Sequence, residues 1–289
     1  MPDSTGDLAV LVLQRNTTAL LEHAPGARAS TDPHHVHQMR VATRRMRAAL
    51  RLFADVLPSD ADSLNDELKW FASQLGPVRD LDVQIQRMRT TASALGISQR
   101  LVPYADWLED QHHSARTRLA DAFESRRFGA LVQHLQRLDA WSIEDSLPVL
   151  VDAPRRLRRA YRQLRKYADA VGDRSSSAAL HAVRIRGKRL RYTAEFFEES
   201  YGKRVIQLVE RVVILQDLLG NLQDGIVSRQ LIQEAVQSSS GASSAQTALA
   251  LGQLVQFEAE REKEIRAAFP QAYKSVRQAF RRAEAKTAS

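Results

Sequence analysis

Apolar residues recur at three- and four-residue steps along most of this 289-residue chain, the pattern of amphipathic α-helices. In the segment that follows Pro33, a rotation of 100° per residue gathers Met39, Ala42, Met46, Ala49, Leu50 and Phe53 on one side. The pattern predicts helices near 7–23, 33–57, 60–75, 78–94, 100–123 and 126–139. It predicts a second series near 148–171, 177–200, 203–219, 222–238, 243–268 and 270–286. Pro58-Ser59-Asp60, Gly96, Pro148, Gly172-Asp173 and Ser238 to Gly241 mark the breaks. Asp32 before Pro33 reads as a helix start, with a carboxylate to cap free N–H groups and a proline at the first helical position. Ser176 holds the equivalent place in the second series. The Ser/Ala/Gly stretch 237–245 is the best candidate for a mobile loop.

The two series are copies. His37, Arg40, Arg44, Arg45, Met46 and Arg47 recur as His181, Arg184, Lys188, Arg189, Leu190 and Arg191, at an offset of 144. Leu75-Gly76 and Asp80 recur as Leu219-Gly220 and Asp224, and Arg15 and Leu20 as Arg159 and Leu164, in the same register. Three separated matches at one offset argue for two helical-bundle units, near 7–144 and 148–286.

The polar side of the 33–57 helix carries the chemistry. His37, Arg40, Arg44, Arg47 and Arg51 fall within about 80° of arc, a line of cations about 21 Å long. The second copy presents His181, Arg184, Lys188 and Arg191, but Glu195 stands opposite Arg51. Like charges at these spacings cost about 0.2–0.5 kcal/mol per pair, and in the first stripe the pairs 40/44, 44/47 and 47/51 gain no relief from an acid on their own helix. A face serving solubility alone would interleave glutamate. In 148–171, Arg155, Arg158, Arg159, Arg162, Arg165 and Lys166 share a second basic side, opposite Leu157, Ala160 and Leu164. Arginine forks suit phosphate oxygens.

Composition narrows the partner. The net charge is +8, yet residues 1–144 hold 17 basic against 18 acidic residues, so the excess lies in the second half. Between Pro154 and Arg191 there are 13 basic residues against Asp169 and Asp173. Twelve glycines and nine prolines leave little room for a many-turned β fold. The absence of cysteine excludes disulfides and thiolate metal sites. The N-terminus has no export-signal pattern and no stretch approaches a membrane span, so cytoplasm is the expected compartment.

These motifs resemble the CHAD family, named for its histidine-bearing α-helical domain. The resemblance rests on the two His-x-x-Arg-x-x-x-(Arg/Lys)-Arg-(Met/Leu)-Arg segments and the two Leu-Gly-x-x-x-Asp segments, and covers about residues 7–286. It implies an all-α fold of two four-helix bundles related by a pseudo-twofold axis, with a basic groove or pore between them. It also implies binding of inorganic polyphosphate and recruitment to polyphosphate granules, among other granule-associated proteins. The ligand-facing set carried over is His37, Arg40, Arg44, Arg45, Arg47 and Arg51 with His181, Arg184, Lys188, Arg189 and Arg191. Arg15, Arg155, Arg158, Arg159 and Arg162 join it from the further basic positions.

Rival readings are weaker. Of the run His34-His35-Val36-His37, His34 and His37 share a helix side with no Asp or Glu on it, so no metal or cofactor is expected. Gly76 and Gly220 permit either close helix approach or a turn, and Asp80 and Asp224 each hold a basic side chain in place. No phosphate-cradling loop or carboxylate cluster supports an enzyme, and a polyphosphate-processing activity is the least favoured reading. A nucleic-acid backbone is the main rival ligand. Aromatic content of 6%, with none on the His37–Arg51 arc, disfavours single-strand stacking.

Overall fold

The computed structural model describes residues 2–284 except 31, 142, 144, 145, 173 and 239–243, with backbone alone at 200, 201, 203 and 204. The core of the loop expected at 237–245 lies outside the described residues. Ten α-helices occur among the described residues: α1 (Thr5–Ala29), α2 (Pro33–Leu52), α3 (Asp60–Ala94), α4 (Val102–Glu124), α5 (Arg126–Gln136), α6 (Val149–Ala168), α7 (Ser177–Phe196), α8 (Glu198–Tyr201), α9 (Lys203–Gln237) and α10 (Ala245–Glu284). No β-strand is found among them, and an isolated β-bridge joins Ser4 to Pro148.

The starts of α2 and α7 follow the sequence expectation. Asp32 accepts a hydrogen bond from the His34 amide, and Ser176 accepts one from Ala179. Each satisfies an N–H that has no partner within the helix. Both helices stop about five residues short of the expected 57 and 200, where Phe53 and Phe197 turn inward and are fully buried. The bounds of α7 lie 144 residues beyond those of α2.

Three expected breaks are absent. Gly76-Pro77 lies inside the 35-residue α3, Gly220 inside the 35-residue α9, and Pro270 inside the 40-residue α10. The physical reason is burial. In α3, Leu64, Leu68, Phe71, Leu75, Val78, Leu81, Ile85 and Met88 are buried at helical spacing on both sides of Pro77. In α9 the buried row Leu208, Val212, Leu215, Leu219, Leu222 crosses Gly220 without a change of phase. A proline removes one intrahelical bond and costs about 3 kcal/mol. Each fully buried large side chain along the stripe contributes about 1.5–3 kcal/mol. The stripe wins.

Neighbours in sequence pack in pairs: α1 on α2, α2 on α3 and α3 on α4, then α6 on α7, α7 on α9 and α9 on α10. The buried apolar residues form two clusters. One is centred on α1–α5, and the other joins α6, α7 and parts of α9 and α10 around Leu164, Leu190, Leu208 and Val276. The first cluster also takes in Phe196, Ile232, Leu251 and Leu254, so the far ends of α7, α9 and α10 pack against the N-terminal half. Contacts of α2 with α7 and α3 with α9 complete the join. A buried ion pair reinforces it: Arg87 on α3 donates twice to Glu258 on α10, at 2.7 and 2.6 Å. Gly225 on α9 makes room for that carboxylate, since a Cβ there would come within 2.7 Å of Glu258 Oε2.

Candidate functional site

The core decides where the cations go. Met39, Ala42, Met46, Ala49 and Leu50 of α2 are each at most 3% exposed. Burying that side turns the opposite side, with Arg40, Arg44 and Arg47, toward α7. In α7, buried Leu180, Val183, Gly187 and Leu190 do the same for Arg184, Lys188 and Arg191. Two cationic faces of equal register therefore meet, and their side chains are half-buried rather than solvated.

The electrostatics record the crowding. Burial, together with Arg40, Arg191 and Arg184, lowers the pKa of the Arg44 guanidinium, opposed by Tyr192. Burial also lowers Arg47, Arg51 and Arg184. Burial and then Arg184, Arg44, Arg40 and Arg191 pull the Lys188 ammonium down to about 7. The arginines stay charged, because their starting values lie far above neutrality. Lys188 does not have that reserve. Burial and Arg79, Arg44, His34 and Arg40 lower His37, which favours its neutral form.

A cavity of about 760 Å³ opens between α2, α6 and α7. Its cationic lining is Arg44, Arg47, Arg51, Arg156, Arg159, Lys188 and Arg189, with Gln163 and Tyr192 adding polar groups and Phe196 and Leu52 an apolar floor. No carboxylate among the described residues lines it, although the buried Arg156 is itself paired with Asp55 and Asp152. Arg44 Nε, Arg47 Nε, Arg184 Nε and the Tyr192 hydroxyl are buried without a hydrogen-bond partner among the described residues. Each such group carries a desolvation cost of about 1–3 kcal/mol. Of these, Arg44, Arg47 and Tyr192 line the cavity, so buried donors without an acceptor among the described residues converge on it.

The residues singled out in the sequence separate into groups. Arg44, Arg47, Arg51, Arg159, Lys188 and Arg189 share the cavity. Arg40 and Arg184 continue the path toward α3 and α9, where acids meet them. Arg40 pairs with Asp80 at 3.0 Å, as expected for that carboxylate. Asp224 faces Arg184, Arg87 and Lys188, yet burial dominates and raises its pKa. Gly76 serves close approach, since a Cβ there would lie 3.0 Å from Arg40 Nη1; Gly220 has nothing within 4 Å.

Glu195 ends the second stripe by holding Arg45 at 2.7 Å and Arg191 at 3.0 Å. Arg15 pairs with Glu199 at 3.3 Å, Arg155 with Asp152 at 3.1 Å and Arg158 with Glu284 at 2.9 Å. Arg162 is exposed and lies away from the cavity lining. His181 is exposed and bonds Gln223 at 2.8 Å.

Arg156, Gln163 and Tyr192 belong to the cavity and were not among the expected residues. Arg156 is buried, bonds both Asp55 oxygens at 2.8 Å, and also reaches Asp152 and the Leu52 carbonyl. The Asp152/Arg156 spacing of four was its one sequence signal.

A second cavity, of about 810 Å³, lies against α3, α4, α9 and α10. Arg79, Arg87, Arg89 and Arg261 line it beside Asp82, Glu109 and Asp224. Arg89 pairs with Glu109 at 2.8 Å and His112 with Asp82 at 2.9 Å, so its cations are largely offset. No cluster of three or more His, Asp or Glu suited to a metal, and no helix long and apolar enough to cross a membrane, occurs among the described residues.

Comparison with known proteins agrees with this arrangement of helices. The chain is 32% identical over 263 residues to an uncharacterised protein of Mycobacterium tuberculosis, matched alike in two strains. That match covers 86% of this chain and 49% of the relative, so the chain spans about half the length of the curated relatives it matches. The crystal structure of a CHAD domain from the plant Ricinus communis superposes with a TM-score of 0.77 at 25% identity, covering 93% of this chain and 91% of that one. PptA from Streptomyces chartreusis shares the fold, with a TM-score of 0.72 at 18% identity, covering 94% of this chain and 100% of that one. The CHAD domain profile matches residues 11–233, and the chain belongs to the CHAD domain family.

Proposed function

We propose that this chain binds inorganic polyphosphate, without turning it over, in the cationic cavity between α2, α6 and α7. The observation that carries the reading is the lining: seven cations from three helices, no carboxylate, and buried guanidinium nitrogens without acceptors. A chain of phosphates supplies closely spaced acceptor oxygens of the right charge, and each arginine fork engages two of them. In this reading the two helical units related by the 144-residue offset form the walls of a basic groove. Arg40 and Arg184 extend it inward, and Arg159 and Arg189 form its outer rim. Family membership supports the reading, since the resemblance implies polyphosphate as ligand and granules as location. Retention of a fluorescent fusion on polyphosphate granules, lost with the cavity variants, would test the location.

The test is a side-by-side titration with polyphosphate and single-stranded DNA of equal charge at matched salt. Polyphosphate is expected to bind more tightly, and the Arg44→Ala/Lys188→Ala double variant to lose most of that affinity with helicity unchanged. Equal affinity for the two polymers would favour a general nucleic-acid or polyanion binder. Shortening of polyphosphate on a gel during incubation would overturn the non-catalytic reading.

A further inference from the structure

Lys188 stands apart from the other cations. It is one of seven lysines in a chain with 35 arginines, and it occupies the position where the first stripe has Arg44. It lines the cavity, so it is reachable, yet it is half-buried. On its own helix it is faced by Arg184 and Arg191, and from α2 by Arg40 and Arg44. Among the described residues Asp224 on α9 is a carboxylate that interacts with it, and that acid is already faced by Arg184 and Arg87. Burial and the four guanidiniums outweigh that acid and hold the side chain near the midpoint of its titration at neutral pH. A substantial share of molecules then present a free amine, the nucleophilic form of lysine. The groups around that amine are donors for phosphate oxygens.

We propose that Lys188 is an acylation site for small acyl phosphates, which bind by their phosphate group in the cavity and transfer their acyl group to the lysine nitrogen. The proposal rests on the reading of this cavity as an anion site. The Nζ lone pair attacks the acyl carbon, the N–C bond forms and the C–O bond to phosphate breaks. The bonding electrons leave with inorganic phosphate, and the proton lost from nitrogen passes to water. The cavity assists twice. Arg44, Arg47 and Arg51 concentrate the reagent, and they stabilise the negative charge that grows on the leaving phosphate. Acylation removes one cation from the lining, so it weakens the hold on a polyanion.

The experiment uses the full chain and acetyl phosphate between pH 6 and 9, with the modified fraction at each lysine followed by peptide mass spectrometry. Lys69, Lys166, Lys263 and Lys274, all exposed, are the internal references. At pH 7 Lys188 is expected to react at least about tenfold faster than these, as a free amine beside bound phosphate should. Its rate should level off above about pH 8 while theirs keep rising. Polyphosphate should suppress it, and Arg44→Ala should slow it without changing the reference lysines. A Lys188 rate no greater than theirs, or a parallel pH profile, would falsify the proposal. If polyphosphate still binds in that case, the binding reading survives by itself. Selective labelling that polyphosphate does not suppress would overturn the shared site. Equal labelling by acetyl-coenzyme A would overturn the acyl-phosphate class.

Discussion

Arg44 and Lys188 are held where their own chemistry resists: half-buried, among like charges and with no carboxylate in the cavity lining. Such residues destabilise the empty protein, and on the proposed reading a polyanion supplies their partner. Arg44→Met, which keeps volume and removes charge, should therefore lower polyphosphate affinity by about tenfold or more. It should leave the melting temperature of the free protein unchanged or higher. Titration calorimetry and a thermal melt on one preparation check both halves. A lower melting temperature with unchanged affinity would make Arg44 a structural residue.

The pH dependence follows from Lys188. Its folded-state pKa of about 7 lies below the roughly 10.4 of an unfolded lysine. Between those values the unfolded chain binds more protons, so the free protein should gain stability as pH rises from about 7 to 10. A bound polyanion restores the ammonium, so binding near pH 8 should take up protons and weaken as pH rises. Calorimetry in buffers of different ionisation enthalpy measures that uptake. Lys188→Arg should abolish most of it.

At the scale of elements, the helices are joined by ion pairs as well as apolar stripes. Arg156 ties α6 to the end of α2 through Asp152, Asp55 and the Leu52 carbonyl, and forms part of the cavity wall. Arg156→Ala leaves Asp152, 1% exposed, with the exposed Arg155 in place of its buried partner, and should cost about 3 kcal/mol of stability in a denaturant titration. Arg87→Ala, which strands Glu258 between α3 and α10, should cost a similar amount. Arg155, exposed beside the same acid, should cost little when removed. The continuity of α3, α9 and α10 belongs to this scale too. Gly76-Pro77, Gly220 and Pro270 are local breakers, and one chain position cannot reveal that a buried stripe continues past it on both sides.

For the whole molecule, the distribution of charge outweighs its total. The net +8 is spread over 42 basic and 34 acidic side chains, many of them paired across helices. Binding through the cavity cations other than the ion-paired Arg156 should fall steeply with salt, and each of them removed should reduce the slope of log affinity against log salt by roughly one. Removing Arg158, which is paired with Glu284, should change the slope less than removing Arg47. Saturating polyphosphate at about 100 times its dissociation constant should add roughly 2.7 kcal/mol of apparent stability, read as a rise of several degrees in melting temperature.

Within the sequence alone lay the helical character, the caps at Asp32 and Ser176, the 144-residue offset and the two cationic stripes. Each is a local or periodic property, recorded in the spacing of side chains along one helix. The pairing of Arg45 with Glu195, of Arg15 with Glu199 and of Arg158 with Glu284 was not legible, because those partners lie 150, 184 and 126 residues apart and meet only when the helices pack. Tertiary structure alone decided which arginines keep free donors. It also buried Lys188 and brought Arg44 and Arg40 of another helix against it, and burial together with the guanidiniums of both helices lowers the pKa of the lysine.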